Sequence, residues 1–261
     1  MDLEHAQVLD DDERRNYISN ELGLKVVRTS DDVKPYSSGT WVNVEKDHAL
    51  FEFLAERHEG VGLISSKSAL EKYRREGQDG ARHGIEDTLH YGATKGTNQF
   101  ADKTAGVVAG SPHYGDEFVK RWSALCDETA ERNDSSGRDL EYGCGVGNDA
   151  LRLMRESQVA QATLRFGRHG QGATVYVHTS ALPEWLPVAA QGTVSEASAG
   201  LKTVLSVVKG FPEDGSFTAN DVVENVDIGK RAVNKHLSTL EDMNLIESDR
   251  SGRATEWQRL T

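Results

Sequence analysis

The apolar positions of the chain fall into short runs with two rhythms. Leu50, Phe51, Phe53 and Leu54 recur at helical spacing within residues 47–58. Val61-Gly-Leu-Ile64 is a continuous apolar run of the kind a buried strand makes, and a helical pattern from Ser66 to about Arg75 follows it. Leu89-His-Tyr91 and Ala105-Gly-Val-Val-Ala109 predict further strands. Helices are expected over about 116–129 and 149–165, and Ala173-Thr-Val-Tyr-Val177 is the strongest strand signal. Strands alternating with helices predict an α/β domain with a mostly parallel sheet. Residues 1–46 read as a polar arm with a helical pattern around 12–22 and a loop at Tyr36-Ser-Ser-Gly39. Residues 189–198, rich in Ala, Gly and Ser, read as a linker.

After residue 198 the rhythm changes. Residues 199–208 predict an apolar helix, and Ser216-Phe-Thr218 can cap a second helix over 219–226. A third helix is expected over 229–243, then two strands joined at Arg250-Ser-Gly-Arg253. Helix, helix, helix, hairpin is the order of a winged helix-turn-helix. At 100° per residue, Lys230, Arg231, Asn234, Lys235 and Ser238 fall within an arc of about 140°, and Val233, Leu237 and Leu240 share another face. Lys and Arg suit phosphates and guanine edges, and Asn suits adenine. Arg250 and Arg253 at the hairpin tip would reach the flanking backbone. The bland alternative is a solvated helix face, or a module that docks on protein.

A second constellation is Gln161-Ala-Thr-Leu-Arg165-Phe-Gly-Arg168, placed just before the 173–177 strand. The Q-x-x-x-R-x-x-R spacing resembles motif VI of superfamily 2 helicases. Val61-Gly-Leu-Ile-Ser65-Ser66-Lys67 is similar to motif IV, and Lys95-Gly96-Thr97-Asn98-Gln-Phe100 with Gly106-Val-Val-Ala-Gly-Ser-Pro112 is similar to the motif V region. The motifs stand in the family's order over about residues 47–187. The resemblance implies a RecA-like second lobe spanning 47–188, ahead of a winged helix at 199–261. It also implies that Gln161, Arg165 and Arg168 reach the γ-phosphate of ATP bound by another lobe. Ser65, Ser66, Lys67, Gly96, Thr97 and Asn98 would then touch the nucleic-acid backbone. A guanidinium is a permanently charged fork that matches phosphate oxygens.

One part of that family's pattern is missing. A phosphate loop needs G-x-x-x-x-G-K-[ST], and Gly62-Leu-Ile-Ser-Ser-Lys67-Ser68 has Ser66 where Gly is required. The roughly 46 residues ahead of the pattern are too few for another domain. The chain is therefore expected not to hydrolyse ATP alone, and ATP and magnesium would act only with a phosphate-loop lobe supplied in trans. Expected partners are DNA and a second RecA-like lobe or replication protein, in a replication or mobile-element system. A different class of function is a transcription regulator with an α/β sensor domain. A third is an S-adenosylmethionine-dependent methyltransferase, because Glu141-Tyr-Gly143-Cys-Gly145-Val-Gly147 matches that family's glycine-rich turn, although a polar stretch precedes it.

Composition narrows the picture. Thirty Lys+Arg face 42 Asp+Glu among 261 residues, a net charge of −12. Any nucleic-acid contact must then be a local patch. The acidic, Lys-poor surface suits a high-salt, halophilic cytosol. No run approaches the ~18 apolar residues of a membrane span, and the N-terminus lacks a signal-peptide core, so a cytoplasmic location without membrane contact is expected. Cys126 and Cys144 are too few for a metal site.

Overall fold

The computed structural model describes residues 9–76, 84–134, 140–194, 197–212, 215–250, 252 and 255–260. The chain divides into two compact units, Met1–Val194 and Ser195–Thr261.

The first unit is built on a six-stranded sheet in the order β3-β2-β4-β5-β1-β6. The strands are β1 (Leu24–Arg28), β2 (Val61–Ser65), β3 (Ile85–His90), β4 (Ala105–Ala109), β5 (Ala173–His178) and β6 (Ala190–Gln191). Every pairing is parallel. The α/β expectation with a parallel sheet therefore holds. β2 and β4 are buried at every position, which explains why they read as unbroken apolar runs. Side chains alternate between two cores. Val26, Ile64, Val108, Val175 and Val177 join Val159, Ala162 and Phe166 on one side. Val61, Leu63, Val107 and Ala109 join Leu50, Phe51, Leu54 and Tyr73 on the other. The helices α2 (Val44–Ala55) and α3 (Lys67–Glu76) thus cover one face, and α5 (Gly145–Thr163) covers the opposite one. A short α1 (Asp11–Asn16), closed by an Asp10/Glu13 capping box, leads into a π-turn at Tyr17–Glu21. α4 (Asp116–Ala124) packs on α5 through Val119, Leu151 and Met154.

Gly106 shows how tightly the sheet is packed. A Cβ there would sit 2.2 Å from the Phe166 ring, which stacks on Phe100 with centroids 5.1 Å apart. Only glycine lets that aromatic pair lie flat on β4.

The segment read as an arm proves to be part of the sheet. Leu24–Arg28 pairs with β5 along its whole length, and β6 adds to Val27 and Arg28. Val26 is fully buried. The linker is correspondingly shorter, since Ala190–Gln191 is a strand of the first unit. α5 begins at Gly145, four residues before its apolar pattern, with Cys144 as its N-cap.

The second unit runs α6 (Ala199–Gly210), β7 (Ser216–Thr218), α7 (Ala219–Val223), α8 (Lys230–Asp242), β8 (Ile246–Asp249) and β9 (Glu256–Arg259). The strands form an antiparallel sheet in the order β7-β9-β8. Ser216-Phe-Thr218 is thus a strand as well as a cap: Thr218 and Asp221 form a capping box at the start of α7. Leu201, Val204, Val208, Phe217, Val222, Val233, Leu237, Leu240, Ile246 and Trp257 make a separate core.

Candidate functional site

α8 sorts its faces as its periodicity predicts. Val233, Leu237 and Leu240 are fully buried, and Lys230, Arg231, Asn234, Lys235 and Ser238 are all exposed. No ion pair of Lys230, Arg231 or Lys235 is found among the described residues. Arg250 differs: its Nη2 lies 3.1 Å from Glu241, so its charge is partly matched within the unit. Arg253 lies outside the described residues.

In the first unit, chain order decides which candidate residues meet. α5 ends just before β5, so Arg165 and Arg168 lie at the amino edge of the sheet. The loop carrying Gly96, Thr97 and Asn98 runs to the start of β4 at the same edge. There the Arg165 Nη1 donates to the Thr97 carbonyl at 3.4 Å, and the Gly167 N–H donates to the Lys103 carbonyl. His169 contacts Asp102 beside them. The Arg165 Nε is buried without a hydrogen-bond partner, and the Arg168 Nε donates back to the Leu164 carbonyl at 2.8 Å. Burial, with the Arg168 charge nearby, lowers the Arg165 pKa from its ordinary value. Among the described residues neither guanidinium is matched by a carboxylate. Gln161 is half-buried one turn earlier on α5.

Ser65 ends β2 and Ser66 and Lys67 follow it, so the three lie at the opposite, carboxyl edge. The Ser65 Oγ donates to the Ala109 carbonyl, and the Ser66 Oγ donates to the Tyr36 carbonyl and accepts from the Ala69 N–H. Both are buried. Lys67 is exposed, with Glu71 at 3.9 Å. The three motif-like segments therefore do not form one surface: two meet at the amino edge and the third caps α3 at the other.

Beneath the carboxyl edge lies a polar network that no motif signalled. Asp47 on α2 is fully buried and accepts from the Tyr36 hydroxyl at 2.9 Å and the Tyr73 hydroxyl at 2.7 Å. The His178 Nε2 at the end of β5 lies 3.2 Å from Asp47, off the line of a good hydrogen bond, and its Nδ1 meets the Thr29 hydroxyl at 2.9 Å. Lys34 approaches the same carboxylate at 3.9 Å. Burial pushes the Asp47 carboxyl up, but His178, Lys34 and Tyr73 outweigh it and hold the pKa below the ordinary value. Burial, opposed by Asp47 and reinforced by Lys34, holds His178 below its ordinary value. Centred on the fully buried Asp47 and His178, this cluster fastens the loop after β1 to α2, α3 and β5.

Above it, the carboxyl ends of β2 and β4 are neighbours from which the chain departs in opposite directions, to β3 and to β5. That is where open parallel sheets place ligands. A cleft of about 480 Å3 opens at this carboxyl edge between the segments that follow β1 and β4, walled by Pro35, Ser37, Trp41, His113, Tyr114 and Arg155. The glycine-rich turn of residues 141–147 lies nearby, and among the described residues between α4 and α5 no strand of the six-stranded sheet precedes it. Tyr142 makes only an isolated bridge to Arg132.

Among the described residues no group of three His, Cys, Asp or Glu side chains could hold a metal, and no helix is long and apolar enough to cross a membrane. Comparison with family models, with curated proteins and with solved structures returned no match.

Proposed function

We propose that the chain is a DNA-binding protein whose second unit is a winged helix-turn-helix and whose first unit is a RecA-like lobe of superfamily 2 helicase type. The exposed cationic and amide-bearing face of α8 carries the reading, set against a helix that docks Val233, Leu237 and Leu240 inward. In a molecule of net charge −12, a cationic cluster without an ion pair among the described residues is where a phosphate backbone would be held. The order helix, strand, helix, helix, hairpin with a three-stranded antiparallel sheet supports the winged-helix assignment.

For the first unit, support comes from the Arg165–Thr97 contact, which joins the segments similar to motifs V and VI. Two neighbouring guanidinium groups without carboxylate partners are suited to an anion brought from outside. On this reading Arg165 and Arg168 complete an ATP site whose phosphate loop belongs to a partner. The purified chain should therefore show no DNA-stimulated ATPase activity, and turnover by the chain alone would refute the assignment.

The regulator reading is favoured by one observation, the cleft at the carboxyl edge, which could serve as a sensor site. Footprinting on duplex DNA separates the two readings. Protection without sequence preference is expected of the helicase-type protein, and a discrete protected site would favour the regulator.

A further inference from the structure

The cleft at the carboxyl edge contains two buried donors with nothing to donate to. Arg155, on α5, is only 6% exposed, yet its Nε and Nη2 have no hydrogen-bond partner and no salt bridge to it is found among the described residues. A buried, unmatched guanidinium opposes folding, so its presence calls for a function. His113 is the second. The Gly115 N–H donates to its Nδ1 at 3.1 Å, so the neutral ring carries its proton on Nε2, and that atom too is buried without a partner. Burial and the Arg155 charge hold the ring below its ordinary pKa, which favours its neutral form.

The surroundings fit an anion with a flat group attached. Gly115 lines the cleft and precedes α4 without a side-chain cap, and the carboxylates of Asp116 and Glu117 in that first turn offset the positive end of the helix, so the anion must be held by the Arg155 and His113 side chains. Arg132 at the wall is paired with Asp116 at 3.4 Å, so its charge is matched there. The Ser37 hydroxyl accepts from the His113 N–H at 2.7 Å and fixes that residue's backbone. Trp41 and Tyr114 line the same cleft and are 55% and 48% exposed, so ring surface is accessible beside it.

We propose that this cleft binds the phosphate group of a free mononucleotide-sized ligand, with Arg155 and His113 on the phosphate oxygens and the Trp41 and Tyr114 rings beside the ligand's own ring. The guanidinium fork matches two phosphate oxygens and the imidazole N–H takes a third. A volume of about 480 Å3 suits one nucleotide. The site lies at the opposite edge of the sheet from Arg165 and does not depend on the DNA-binding reading.

Calorimetric titration of the full chain with AMP, inorganic phosphate and adenosine tests it. AMP should bind one to one, phosphate should displace it, and adenosine should bind at least about tenfold more weakly than AMP. Arg155→Met should lose at least about tenfold in AMP affinity, yet unfold at a higher temperature than the wild type without ligand, because it removes an unmatched buried charge. His113→Gln should weaken AMP while leaving the fold intact. The proposal is overturned if AMP fails to bind, if adenosine binds as tightly, or if Arg155→Met binds AMP unchanged. It is equally overturned if Arg155→Met is less stable or fails to fold, since the guanidinium would then be structural. An excess of oligo(dT) should leave AMP bound; displacement would assign the phosphate to a strand and overturn the free-ligand assignment.

Discussion

At the scale of single residues, the buried ionisable groups make stability depend on pH. His178 and His113 both sit below the ordinary imidazole value of 6.5 in the folded chain. Between that value and their folded values the unfolded state holds more protons, so stability declines as pH falls below about 6.5. Asp47 has the same sign at lower pH: its contribution, full above the unfolded value of 3.8, is lost as pH falls through its depressed folded value. Thermal unfolding should therefore show a Tm nearly level from pH 7.5 to about pH 6.5 and falling from there to pH 5. His178→Gln should lower Tm at pH 7.5 but flatten that slope, and a pH-independent wild-type Tm would contradict the account. Gly106→Ala is the second test at this scale. With a Cβ 2.2 Å from the Phe166 ring, the stacked pair must shift, and a loss of about 1–3 kcal/mol in a denaturant titration is expected.

At the scale of elements, β1 is the informative case. Lys25 and Arg28 give Leu24-Lys-Val-Val-Arg28 a polar look, and it sits among charged residues. The structure tolerates Lys25 because the two-residue β6 covers only Val27 and Arg28, which leaves the start of β1 open on that side. A truncation that removes residues 1–30 should abolish cooperative unfolding of the first unit, whereas removal of a true arm would leave Tm unchanged. The strands β2, β4 and β5 and the faces of α8 were legible because their signal is local: an unbroken apolar run, or a 3.6-residue period. The Asp47 network and the cleft at the carboxyl edge were not. Tyr36, Asp47, Tyr73 and His178 come from four separate segments, and Arg155 shows nothing unusual in sequence beside Arg152. Burial distinguishes the two: Arg152 is exposed with Asp149 at 3.3 Å, and Arg155 is buried. The motif-like segments were legible as letters, but their meeting at two opposite edges is a property of strand direction.

At the scale of the whole molecule, charge is the governing quantity. With 12 excess negative charges the compact state repels itself, and screening relieves that repulsion. Tm should rise with added KCl over the first few hundred millimolar, and a Tm that falls over that range would contradict this reading. DNA binding must respond to salt in the opposite sense, because it rests on a few cations releasing counterions from DNA. That opposition makes the salt dependence of duplex binding by the full chain the most direct test of the central claim. The wild type should show log K falling linearly with log salt, and Lys230→Glu combined with Lys235→Glu should abolish binding at about 0.1–0.2 M salt. Binding by the double variant that matches the wild type in strength and slope would contradict the assignment of α8 as the DNA-contacting helix.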